Sequence, residues 1–264
     1  PFGRPAVLAG FAALLLAGSA RTVVRNTDWR SDLTLFRSAV RITPLSSRAH
    51  VNYGVAIMDE KDLPGAEREF KTALAIYPKN ATALANLGLV YLKTKQPDDA
   101  ARVLQEAVAI KPKDSRAHNN LGIALHRLGR YGEALDELRA ATALDTRYAE
   151  PLDTMGMVFE SMGRLDEAER AYRDALRIAP DRAETWYGLG LLALNRRDER
   201  TVREAFETVL RLKPGDTRAR IGLGVLAAQH GDRAEAERRF SEVLRDQPGN
   251  REARANLDLL HSRR

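Results

Sequence analysis

Five histidines, tandem carboxylate pairs such as Asp98 with Asp99, and a set of recurring asparagines are the side chains of this sequence best equipped for chemistry. Imidazoles a helical turn apart can share a metal ion, but His50, His118, His126, His230 and His261 lack that paired spacing. The sequence contains no Cys, which removes disulfides, thiolate zinc sites and cysteine nucleophiles. No Ser, His and Asp stand in the context of a nucleophile turn. Catalytic, metal and cofactor sites are therefore all expected to be absent from this stretch of chain. Asp98 with Asp99 and Asp166 with Glu167 stand where helices open, so they read as complements to a helix N-terminus rather than as an acid and a base. The GLG triplets Gly188–Gly190 and Gly222–Gly224 fall inside helical pattern and are not phosphate loops. The asparagines are different. Asn52, Asn86 and Asn120 recur at one interval, and each carboxamide offers a donor and an acceptor, the complement of a peptide group.

What positions them is a repeat. Gly54, Gly88, Gly122, Gly156, Gly190 and Gly224 are spaced by 34 residues without insertion. Before each comes an apolar residue: Tyr53, Leu87, Leu121, Met155, Leu189 and Leu223. A small residue follows at Ala66, Ala100, Ala134, Ala168 and Ala236, with Val202 the exception. Next come the large residues Phe70, Leu104, Leu138, Tyr172, Phe206 and Phe240. Pro78, Pro112, Pro180, Pro214 and Pro248 close the units, and Thr146 replaces proline once. This is the period of the tetratricopeptide repeat, a helix-turn-helix unit. Glycine and alanine let two helices approach, the large residue fills the space between neighbours, and proline ends the second helix. A single unit cannot bury its own apolar face, so the array holds together by stacking.

The expected fold is all-α, a right-handed superhelix (α-solenoid) of six repeats over residues 47–250 with a capping helix at 251–264. First helices then line a concave groove. There the sixth positions are Asn52, Asn86, Asn120, Thr154, Gly188, Gly222 and Asn256. The three asparagines resemble the asparagine ladder in the repeat arm of O-linked N-acetylglucosamine transferase. Arg48 and Arg116 add positive charge to the front of the groove, and Glu150, Asp153 and Glu160 make the fourth unit acidic. His50 and His118 occupy the fourth position and are expected to be core or half-buried residues packed against a neighbouring helix, not ligands. Apolar ninth positions exclude a clamp for a peptide carboxylate. Repeat 5, with Arg197 at its turn, is expected to turn more loosely than the rest.

Composition supports a helical rod: aromatics make up 6% and charged residues 30%, with a bias to Ala, Leu, Glu and Arg. The net charge of +6 arises from 42 basic and 36 acidic residues that are interleaved. Phosphate tracking requires a concentrated basic stripe, so nucleic acid is not an expected partner.

Upstream of the repeats, PAVLAGFAALLLAGSA has no charged side chain. Residues 5–24 reach the length of about 20 residues needed to span a bilayer, and we assign 1–26 as a hydrophobic membrane segment. A signal peptide ending at AGSA and a buried first helix are the competing readings. Charge at both ends, Arg4 against Arg21 and Arg25, leaves sidedness open. Counting back one period from the first unit places Phe36, Ala39 and Pro44 in register. Residues 27–46 therefore read as a junction, the second helix of a half repeat, with Trp29 at its start.

That junction carries a resemblance. A hydrophobic span, RTVVRNTDW, and then LFRSAVRITPLSSRAHVNYG running into the repeats is similar to the transmembrane and tetratricopeptide-repeat O-mannosyltransferases. The resemblance covers a last membrane helix and the repeat arm. It implies transfer of mannose from a dolichyl-phosphate carrier to Ser or Thr of a protein, with the arm outside the cytosol, in the ER lumen or periplasm. That family's catalytic carboxylates lie in an early loop that has no counterpart in this sequence, so no catalytic residue carries over. The expected function is a membrane-anchored arm that binds protein or peptide ligands in its groove. The alternative is a non-enzymatic envelope scaffold.

Overall fold

The computed structural model describes residues 31–262. Among them are fourteen α-helices and no strand. The chain divides into two compact units, one ending at Leu128 and one starting at Gly129. The first holds α1 (Asp32–Ile42), α2 (Ser47–Asp59), α3 (Leu63–Ile76), α4 (Ala81–Lys93), α5 (Pro97–Ile110) and α6 (Ser115–Arg127). The second holds α7 (Tyr131–Leu144), α8 (Glu150–Ser161), α9 (Leu165–Ile178), α10 (Ala183–Arg196), α11 (Glu199–Leu212), α12 (Thr217–Gln229), α13 (Arg233–Asp246) and α14 (Arg251–Ser262).

In the first unit α2 pairs with α3 and α4 with α5, while α1 and α6 flank the pairs. In the second, α8 pairs with α9, α10 with α11 and α12 with α13, and α7 and α14 flank them. Each first helix also touches the first helix of the next repeat within its unit, so side chains one period apart form rows.

Close approach explains the repeat residues. Phe70, Leu104, Leu138 and Phe206 are 0% exposed, and Tyr172 and Phe240 only 1%. A Cβ on Gly54 would lie 2.7 Å from the Phe70 ring, and one on Gly190 would lie 2.6 Å from the Phe206 ring. The first glycine of each GLG triplet faces the large residue of the preceding repeat. A Cβ on Gly222 would meet Phe206 at 2.4 Å, and one on Gly188 would meet Tyr172 at 3.1 Å. Those two rings are thus held between glycines of consecutive first helices. Val202, the exception to the small-residue rule, is as fully buried as the alanines it replaces.

Every turn within a repeat contains one residue with positive φ: Lys61, Lys95, Gly129, Gly163, Arg197 and Gly231. Arg197, at φ 58°, adopts the same left-handed conformation as its counterparts, so the looser turn expected in repeat 5 is not found. The packing of α10 on α11 sets the turn, and Arg197 takes on the steric cost that glycine avoids. Helix ends follow the same logic. The residue before proline disfavours helix, which explains why α3 ends at Ile76, two residues before Pro78. Yet α7 ends at Leu144 in the same register with Thr146 in place of proline. Proline is therefore not required for the stop.

Within the junction α1 is capped by Ser31, whose hydroxyl accepts from the Thr34 amide. Phe36 is half-buried there, less enclosed than Phe70 one period later. Among the described residues no helix is long and apolar enough to cross a membrane. The segment 5–24 and Trp29 lie outside the described residues.

Candidate peptide-binding surfaces

Asn52, Asn86 and Asn120 occupy equivalent places on α2, α4 and α6, three first helices in succession within one unit, and all three are half-buried. Asn86 donates one N–H to the Thr82 carbonyl at 3.0 Å, which fixes its rotamer and leaves its carbonyl oxygen as an acceptor. Arg48 and Arg116 are exposed in the first turns of α2 and α6. The geometry thus sets the amides in one row, with a guanidinium at either end of it. Asn119, beside Asn120, is 3% exposed and its Oδ1 has no partner. An orphaned buried acceptor is uncommon, and sequence pattern gives no signal for it.

The histidines have a structural role that the sequence reading only half anticipated. His50 and His118 are buried, at 7% and 8% exposure. His50 Nε2 donates to the Pro44 carbonyl at 2.9 Å, while its Nδ1 faces Glu69 at 2.7 Å. His118 Nε2 donates to the Pro112 carbonyl at 3.0 Å. The same bond recurs with other donors at that position: Trp186 Nε1 to Pro180 at 2.8 Å and an Arg220 guanidinium N–H to Pro214 at 2.8 Å. In four of the six repeats the fourth residue thus ties the carbonyl of the preceding closing proline to the next first helix, whereas Leu84 and Leu152 hold that position in the other two. Trp186→Phe keeps an aromatic side chain but removes this N–H along with part of the indole, so it is expected to lower stability by at least about 1 kcal/mol in urea unfolding.

In the second unit α8 carries Glu150, Asp153, Met157 and Glu160 along one stripe. Arg182 reaches Glu150 at 2.8 Å and Asp153 at 3.8 Å. The Tyr172 hydroxyl donates to Glu160 at 2.5 Å. Burial pushes the Asp153 carboxyl above the ordinary range, against the Thr185 hydrogen bond and Arg182, with Glu150 and Glu184 adding to the rise. Burial likewise raises Glu160, opposed by Tyr172 and reinforced by Asp153. The Tyr172 phenol is raised far above its usual value by burial and by Glu160. Asp98 and Asp99 lie in the first turn of α5, and Asp166 and Glu167 in that of α9, where their charge complements the helix N-terminus, but neither helix has a side-chain cap hydrogen bond. Both GLG triplets lie within α10 and α12. Among the described residues no cluster of His, Asp and Glu is arranged to hold a metal ion.

Comparison with known proteins agrees with this architecture. Tetratricopeptide repeat models match residues 18–81, 57–121, 114–181 and 200–257. A mouse protein, Protein O-mannosyl-transferase TMTC4, is 39% identical over 54 residues, which is 20% of this chain and 7% of that protein's length. The chain thus spans only a small part of the curated relative it matches. Among solved structures, that of pilF from Pseudomonas aeruginosa superposes with a TM-score of 0.70 at 22% identity, covering 83% of this chain and 97% of that one. YrrB, described as a tetratricopeptide repeat protein with an unusual peptide-binding site, superposes with a TM-score of 0.53 at 21% identity, covering 70% and 95%. At these identities the likeness to the structures is one of fold. The matched repeats, the rows of glycine against buried ring and the helix pairs together place the chain in the tetratricopeptide repeat family.

Proposed function

We propose that this chain is the acceptor-handling arm of a membrane-bound protein O-mannosyltransferase. The observation that carries the reading is the 39% identity over 54 residues to an O-mannosyl-transferase, taken with the junction LFRSAVRITP. In this reading residues 5–24 hold the arm to the membrane, the repeats lie outside the cytosol, and the mannosyl-transfer chemistry belongs to parts of the protein beyond this sequence.

The arm's own task is binding. Asn52, Asn86 and Asn120 hydrogen-bond the backbone of an extended acceptor segment without reading its side chains, and Arg48 and Arg116 attract its carbonyls and acidic groups. At about 1 kcal/mol per hydrogen-bonded group, three amides reach roughly millimolar affinity. Tethering beside the transfer site makes that sufficient, since a linked site sees millimolar effective concentration. Asn52, Asn86 and Asn120 changed together to Ala in the full-length protein are expected to lower O-mannose occupancy of acceptor proteins at least threefold by mass spectrometry. Circular dichroism should show an unchanged helical array. Unaltered occupancy with intact folding would remove the backbone-binding row, and absence of any mannosylation dependent on the full-length protein would favour the scaffold reading.

A further inference from the structure

The ninth positions of the second unit's first helices are Met157, Leu191, Val225 and Leu259. Met157 is 40% exposed, Leu191 41% and Leu259 50%, whereas their counterparts Val55, Leu89 and Ile123 in the first unit are half-buried. The first helices touch in sequence, so these side chains form an apolar stripe along one face of the unit. At one end Val225 and Leu259 border a cleft of about 410 Å³, also lined by Phe240 and Leu260. That is within the size range of clefts that enclose a ligand's apolar groups.

The other end of the stripe is acidic. Glu150, Asp153 and Glu160 flank Met157 on α8, and their spacing puts them on its face. Three carboxylates meet one guanidinium, that of Arg182, and one neutral hydroxyl, that of Tyr172. The balance of three negative charges against one positive leaves a local excess of two. Burial raises the proton affinity of both Asp153 and Glu160, and Asp153 adds to the rise at Glu160, so a cation placed against them would relieve both. Further along the row Glu184 is already held by Lys213 at 2.8 Å and by Arg218 at 3.0 Å, and Arg218 lies 4.5 Å from the Tyr187 ring. On α10 the acidic charge is thus matched, in contrast to α8.

An apolar stripe that ends in unneutralised carboxylates complements a segment whose apolar side chains are followed by a Lys or Arg. We propose that this face of the second unit docks such a partner segment, apolar side chains along Met157, Leu191 and Val225 and the cation against Asp153 and Glu160. The proposal rests on the reading of the repeats as a peptide-binding array and names the side-chain chemistry that the asparagine row does not read. The chain's net charge of +6 repels a basic peptide overall, so attraction here must be local.

The test uses two fluorescein-labelled synthetic peptides of identical Leu pattern, one carrying Lys and the other Glu at the remaining positions, titrated with the full chain and followed by anisotropy. The Lys peptide is expected to bind at least tenfold tighter. Asp153→Asn with Glu160→Gln should remove that tenfold, and lowering the pH into the raised carboxylate range should weaken the wild-type complex in the same way. Asn52, Asn86 and Asn120 changed to Ala should act on both peptides alike and leave the ratio of their affinities unchanged, which separates this site from the backbone-binding row. Equal affinity for the two peptides, or no loss in the folded Asp153 and Glu160 variant, overturns the proposal. Should that variant fail to fold, Leu191→Lys on the exposed stripe decides instead: a tenfold loss supports the site, and unchanged binding overturns it.

Discussion

Phe206→Ala is expected to destabilise the second unit by about 3–5 kcal/mol, the range for removing a fully enclosed phenyl side chain. Phe206 is 0% exposed and packs with Val202, Val209, Leu223 and Leu226, with the Tyr187 ring 5.8 Å away. Gly190 and Gly222 present no Cβ to the ring, so backbone lies close on both sides of it. Alanine would leave a void that these two helices cannot fill without losing their own contacts. The reciprocal change, Gly222→Ala, drives a methyl to within 2.4 Å of the ring and should cost about 1–3 kcal/mol. Combined with Phe206→Leu, that cost should shrink, because the smaller side chain leaves room for the added methyl. Denaturant unfolding monitored by circular dichroism measures all three. A loss below about 1 kcal/mol for Phe206→Ala would mean that stacking across this ring does not hold the unit together.

Tyr172→Phe is expected to cost about 1–3 kcal/mol at neutral pH by leaving Glu160 half-buried without its hydroxyl donor. The pH dependence has a definite sign. Burial and Asp153 raise the Glu160 carboxyl above its unfolded value, so folding carries a penalty for its charged form. That penalty is complete above the raised folded value and disappears as the pH falls below the ordinary carboxylate range. The Tyr172 hydrogen bond offsets part of it, and removing the bond enlarges it. The variant should therefore lose most stability near neutrality and approach the wild type in acid. Urea midpoints at several pH values read this directly, and a cost independent of pH would show that packing of the ring, not the bond to Glu160, is what the hydroxyl supports.

Much of this protein was legible in its linear sequence because a repeat states the same packing problem six times. Gly54, Gly88, Gly156, Gly190 and Gly224 recur because each lies against a buried large residue, and coincidence at one period identifies helix pairs and their stacking without coordinates. The asparagine row follows for the same reason, since side chains one period apart fall on neighbouring first helices. What lay beyond pattern came from contacts without a fixed residue type. The bond to the proline carbonyl is made by His, Trp or Arg, which share only an N–H at the right reach. Arg197 and Lys61 adopt a backbone conformation that their side chains disfavour, because the paired helices impose it. The paired carboxylates on α8 look like ordinary surface charge in the sequence. Only burial beside Tyr172, with a single guanidinium to answer three carboxylates, gives them their raised proton affinity, because desolvation depends on what surrounds a group and not on its neighbours along the chain.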